Sequence, residues 1–139
     1  MRKLLLGIVP FTLRQDILGC TLIMSNSREM IASNTSNNSI TFISSLSAHR
    51  VNYPQPQASY NVSKAGVKHL TRCLAAEWAV HGIRVNSISP GYMDTILNEG
   101  EGLDRARRIW NERNPMGRMG QPMELQGPLV MLCLSLRHI

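Results

Sequence analysis

The 139-residue chain is poor in the residue types that mark most specialised chemistries. It holds three cysteines, Cys20, Cys73 and Cys133, and no two share a metal-ligand spacing. An odd, widely separated set suits buried thiols in a reducing compartment better than a disulfide framework. Four dispersed histidines, His49, His69, His81 and His138, form no ligand cluster, so no metal site is expected. Aromatic residues make up 5% of the chain and no long basic run interleaves with them. That pattern argues against a nucleic-acid partner. The 15 Lys and Arg against 9 Asp and Glu are scattered, and suit a small anion such as a phosphate-bearing cofactor. Glycine is missing where a nucleotide would need it: no G-x-G-x-x-G occurs anywhere.

Long apolar runs are absent too. "MRKLLLGIVPFTL" begins like a short signal peptide, but Pro10 interrupts it and Arg14 and Asp16 follow closely. "ILGC" resembles a lipoprotein box with an aspartate inside its apolar segment. The stretch is too short to span a bilayer. A cytoplasmic protein without a membrane partner is the expectation, and the sequons at Asn34, Asn37 and Asn61 are ascribed to chance.

What is present has an order. Residues 17–32 can form a helix, "SNTSNN" is a polar break, and "SITFISS", 39–45, reads as a buried strand. Residues 58–80 follow with helical periodicity, the apolar face carrying Val62, Ala65, Gly66, His69, Leu70, Cys73, Leu74 and Trp78. Gly82 stands where a helix stop belongs. "IRVNSIS", 83–89, is a second strand closed by Pro90-Gly91. A charged helix near 102–112 comes next, then a helix over 121–135 with Pro122 early and Gly127-Pro128 disturbing its middle. Strand, helix and strand in succession predict a βαβ crossover and a parallel sheet, hence an α/β fold. Ligands of such sheets bind beyond the carboxyl ends of the strands. Ser45, Tyr60, Lys64 and the Pro90-Gly91 loop are therefore expected at one rim.

Tyr60 and Lys64 in "ASYNVSK" are one helical turn apart and share a face. A phenol alone is a weak acid, and an adjacent ammonium favours its ionised form. A serine hydroxyl could hold a substrate oxygen against it. This is equipment for moving a proton on or off that oxygen while another group moves a hydride. Any one of these residues is more often a surface pair or a turn; the constellation in this order carries the argument.

"SITFISSLSA", "YNVSK" and "GIRVNSISPGYMDT" together resemble the classical short-chain dehydrogenase/reductase family. "PQPQASYNVSKAGVKHL" and "ERNPMGRMGQPMEL" are similar to its fungal polyol and sugar-ketone members, of the mannitol, arabinitol or sorbose type. The resemblance covers roughly residues 13–135 and implies a partial Rossmann-like, doubly wound parallel sheet. It implies Tyr60 as general acid/base, Lys64 as its partner and the holder of the nicotinamide ribose, and Ser45 as the group orienting the substrate oxygen, with Ser47 as the alternative. Pro90, Gly91, Met93 and Thr95 match the loop that contacts the nicotinamide. Asp16 falls where members carry the asparagine of an N-L-x-G motif, which puts the proton relay in question.

The implied activity is an NADP- or NAD-linked interconversion of a polyol and a ketose, with NADP favoured. The implied partners are that small molecule and further copies, or intact relatives, docked through the Tyr60 helix. The alternative is an inactive remnant that serves as an interaction module. Residues 13–139 are expected to be the catalytic part of such a domain and residues 1–12 are unassigned. The family's glycine-rich nucleotide-binding half has no counterpart in these residues, and truncation at both ends is the expectation. Half a sheet should be marginally stable or self-associating.

Overall fold

Strand β1, Ser39–Ile43, pairs in parallel with β2, Arg84–Ile88, in a register running from Ser39 opposite Arg84 to Ile43 opposite Ile88. A computed structural model describes residues 38–95, 98, 100 and 102–134 of the chain. The helix expected over 17–32, Asp16 and the segment 1–12 lie outside the described residues. The strands are shorter than expected at their ends, yet their pairing continues past them. The Arg84 N–H donates to the Asn38 carbonyl (3.0 Å), Ser44 N–H to Ile88 (2.8 Å) and Leu46 N–H to Pro90 (2.9 Å). The two post-strand segments are thus tied to each other before either turns away.

Helix α1, Ala58–Trp78, is the crossover, which makes the unit the expected α/β βαβ arrangement. Its last turn tightens into a 3-10 turn over Ala79–His81 and stops at Gly82, whose φ of 67° is the left-handed conformation that a side chain disfavours. The Gly82 and Ile83 amides close the end by donating to Ala79 and Trp78.

The buried stripe of α1 differs from the expected one. Ser63, Val67, Thr71, Leu74 and Trp78 face inward, while Val62 is 62% exposed and Ala65, Gly66 and His69 lie outside. Two inward residues are hydroxylic, so an apolar count passes over them. Each satisfies itself on its own helix: Ser63 Oγ donates to the Tyr60 carbonyl (2.9 Å) and Thr71 Oγ1 to Val67 (2.9 Å). The inward stripe closes on Phe42, Ile83 and Val85 to make the main core. Burying a side chain of this kind contributes about 1.5–3 kcal/mol.

Beyond β2 the chain builds a second, smaller cluster from Ala106, Trp110 and Met119, with Tyr92 and Leu103 against it. Helix α2, Asp104–Arg113, supplies Ala106 and Trp110. Tyr92 stacks on Trp110 with ring centroids 4.5 Å apart and planes 12° from parallel. A parallel bridge joins Met93 to Gly120. A Cβ at Gly120 would stand 2.9 Å from Met93 Sδ, so the close approach favours glycine there.

The final segment opens as a 3-10 turn, Pro122–Leu125, and becomes α3 over Gln126–Cys133. Gly127-Pro128 lies in the first turn of α3, where the missing proline donor costs little. α3 meets the start of the sheet through Ser39 Oγ donating to the Leu132 carbonyl (2.9 Å). It buries none of its own residues.

Candidate active site

Ser45 lies just past β1 and caps the 3-10 turn Leu46–Ala48. The Ser47 amide donates to Ser45 Oγ (3.1 Å), and the Ser45 hydroxyl donates to Ser47 Oγ (3.0 Å). Both serines are buried. Tyr60 sits in the first turn of α1, half-buried, and shares with Ser45, Ser47, Gly91 and Thr95 the wall of one cavity of about 420 Å³. The cavity opens beyond the carboxyl ends of both strands, where the chain order of a parallel sheet leaves room for a ligand.

Lys64 is outside that wall but beside it. Its Nζ lies 5.7 Å from the centroid of the Tyr60 ring and 3.3 Å from the Ile43 carbonyl oxygen. The same residue's backbone carbonyl accepts from Ser44 Oγ at 3.0 Å. Two contacts at consecutive residues of the strand end therefore set the height of α1 on the sheet. Ser44, read in the sequence only as a strand end, makes one of them.

The sequence-expected loop residues divide. Gly91 and Thr95 reach the cavity; Pro90 uses its carbonyl to hold Leu46, and Met93 turns to Gly120. This loop is braced by charge. Arg107 bonds Asp94 at 2.7 Å and the Asn98 carbonyl at 2.8 Å, and Gln121 donates to the other Asp94 oxygen at 3.3 Å. The Arg107 guanidinium, with help from Gln121, holds the Asp94 carboxyl below its ordinary range. Next to it, Arg118 grips Glu124 through two bonds, 2.8 and 2.6 Å, and the Glu124 carboxylate also accepts from the Gln121 amide at 2.6 Å. Those donors, Arg118 first, lower Glu124 to about 2.

Sequence reasoning missed the remaining walls. Asn52, Gln55 and Gln57 form one side, and Tyr92, Asn98 and Trp110 another. The phenol of Tyr92 donates to the Tyr53 carbonyl (3.2 Å), and burial pushes its titration up. The signal for the first group was present as the repeated amides of "NYPQPQ". Trp110 comes from a helix 50 residues after Tyr60 in chain order, and no spacing rule connects the two.

Among the described residues that line the cavity there is no carboxylate, ammonium, guanidinium or imidazole. The hydroxyl groups of the described lining are the phenols of Tyr60 and Tyr92 and the side chains of Ser45, Ser47, Ser59 and Thr95, and the Tyr92 phenol is committed to the Tyr53 carbonyl. No group of metal-ligating side chains occurs among the described residues, and none of the described helices is long and apolar enough to cross a membrane.

Comparisons with known proteins agree with this fold. The family profile described as enoyl-(acyl carrier protein) reductase matches residues 12–138. D-arabinitol 2-dehydrogenase [ribulose-forming] of Scheffersomyces stipitis is 42% identical over 117 residues, covering 83% of this chain and 42% of that protein. NADP-dependent mannitol dehydrogenase of Hypocrea jecorina is 49% identical over 94 residues, covering 68% of this chain and 35% of that one. A short-chain type dehydrogenase/reductase from Mycobacterium marinum superposes with a TM-score of 0.73 at 41% identity, over 79% of this chain and 42% of that chain. The chain thus spans about two fifths of the length of the relatives it matches. With a match across nearly all its residues and a shared parallel α/β fold, the chain belongs to the short-chain dehydrogenase/reductase family.

Proposed function

We propose that residues 13–139 carry the proton-transfer half of a nicotinamide-dependent oxidoreductase that interconverts a secondary alcohol of a polyol and the matching ketone. The single observation that carries this reading is the placement of Tyr60 and Ser45 on one cavity wall with Lys64 one turn behind the phenol. Tyr60 gives its proton to, or takes it from, the substrate oxygen. Ser45 turns its hydroxyl from Ser47 to that oxygen and holds it in line. Lys64 keeps its ammonium beside the ring, 5.7 Å from the centroid, while the proton is exchanged.

The residues present fit the nicotinamide end of NADP or NAD. Lys64 Nζ, which donates to the Ile43 carbonyl at 3.3 Å, would hold a ribose hydroxyl beside Tyr60. The Gly91 and Thr95 loop closes the same rim. Pro90 fixes that loop to the strand end and Met93 seats it on Gly120. When bound, the nicotinamide supplies or accepts the hydride. NADP is the preferred form, because the mannitol dehydrogenase relative is NADP-dependent by name. Half-buried Cys73 and exposed Cys133, both free thiols, suit a cytoplasmic setting.

The test is Tyr60→Phe in the protein as the cell makes it. Ketose reduction should fall by about 100-fold or more, while reduced nicotinamide still binds by fluorescence. An unchanged rate would remove Tyr60 from the mechanism.

A second reading is favoured by one observation. Val62, Ala65, Gly66 and His69 leave a small-residue, partly apolar face of α1 uncovered. We infer that this face pairs with a second copy or an intact relative, which also serves an inactive remnant acting as an interaction module. Val62→Asp should then lower the mass measured by light scattering; an unchanged mass rejects the pairing.

A further inference from the structure

The cavity has a wall built from side-chain amides. Asn52 Nδ2 donates both to Ser47 Oγ, at 2.5 Å, and to Gln57 Oε1, at 3.4 Å. Gln57 Nε2 in turn donates to Gln55 Oε1 at 2.7 Å. Ser45 donates to the same Ser47 oxygen from the other side, at 3.0 Å. One connected row therefore runs from Gln55 through Gln57, Asn52 and Ser47 to Ser45, and ends beside Tyr60. All five of its members line the cavity.

The row has unused capacity. Asn52 Oδ1, in its middle, is buried with no partner among the described residues, and the Gln55 amide nitrogen stands at its outer end. A primary amide offers two donors and one acceptor, so the row can both give and take hydrogen bonds. A string of hydroxyls, each donor and acceptor at once, is its chemical complement. A carboxylate is not: it only accepts, and the described lining holds no cation to receive its charge.

We propose that Asn52, Gln57 and Gln55 form the subsite for the hydroxyls of the substrate beyond the reacting carbon. They thereby select a neutral polyol or ketose over the sugar acid of the same length. The inference rests on the function proposed above and adds to it which residues read the substrate and what they reject. Asn52 has a second effect as a positioning residue: its bond to Ser47 fixes the acceptor that Ser45 faces before substrate arrives.

Direct binding tests the subsite without any turnover. The full chain, labelled with nitrogen-15, is titrated by NMR with a six-carbon alditol and separately with the matching aldonate. The alditol should shift the side-chain amide signals of Asn52, Gln55 and Gln57 and bind at least about ten-fold more tightly than the aldonate. Gln55→Leu combined with Gln57→Leu should weaken the alditol about ten-fold, the size expected for losing one or two neutral hydrogen bonds. Gln55→Lys should shift the preference toward the aldonate by a similar factor. Both residues are only half-buried, so the variants keep the core intact. Equal or tighter aldonate binding, no alditol binding, or full alditol affinity in the double leucine variant overturns the proposal. A Tyr60→Phe protein that keeps its rate would instead strike the proposed reaction and leave this binding preference standing.

Discussion

The two clusters of this molecule are held by different forces, and the cavity lies along the seam between them. The β1–α1–β2 unit closes on apolar side chains: Phe42, Val67, Leu74, Trp78, Ile83 and Val85. The region from Tyr92 to Glu124 has one stacked pair, a small three-residue core and then two ion-paired braces, Arg107–Asp94 and Arg118–Glu124. Apolar burial is not screened by salt, whereas exposed ion pairs weaken as ionic strength and acidity rise. The phenol thus stands on the stiff unit and the opposite wall on the adjustable one. A proton donor kept still and a facing wall of Tyr92, Asn98 and Trp110 allowed to give is a useful division, because proton transfer depends on tenths of an ångström and cavity shape tolerates more.

The division can be broken or sharpened by substitution. Largest is the loss expected from each core: Leu74→Ala should cost about 2–5 kcal/mol and Trp110→Ala about 3–5 kcal/mol. Hydrogen exchange distinguishes them. Leu74→Ala should loosen amides of α1, and Trp110→Ala those of α2 and the 92–95 loop. If both variants loosened both regions equally, the clusters would be one cooperative unit. Gly82→Ala should cost about 1 kcal/mol through the left-handed cap, read as a lower melting temperature that belongs to the first unit alone. Asp94→Asn should leave that melting temperature within a degree or so while speeding exchange at residues 92–95 and removing most of their salt dependence. A shift of the α1 amides in this variant would refute the separation.

The smallest effect is in acid. The folded Glu124 carboxyl titrates at about 2, below its unfolded value. Its contribution is therefore present above the ordinary glutamate range and is lost as pH falls from there toward about 2. Glu124→Gln should flatten that part of the acid-unfolding curve, and a carboxyl carbon titrating at an ordinary value would cancel the prediction.

Element order, the crossover and the gathering of Ser45, Tyr60 and Gly91 were legible in the sequence because strand ends and helical spacing are local properties, whereas Thr95 was named only through the family resemblance. The inward stripe of α1 was not, because Ser63 and Thr71 enter a core by bonding their own helix. The aromatic wall was not, because Trp110 reaches the cavity through packing between segments far apart in sequence. The amide row was visible as letters in "NYPQPQ", yet only the turn after β1 shows that its members face one space.

The clasp of Lys64 on the strand end has a consequence for change over time. Because Ser44 and Ile43 seat α1 directly, the seat of the helix does not rest on the stretch between Ser47 and Gln57. Its length and composition can drift, or be redesigned, while the acid/base pair stays in place. New substrate ranges on this scaffold are most cheaply reached by rewriting that loop.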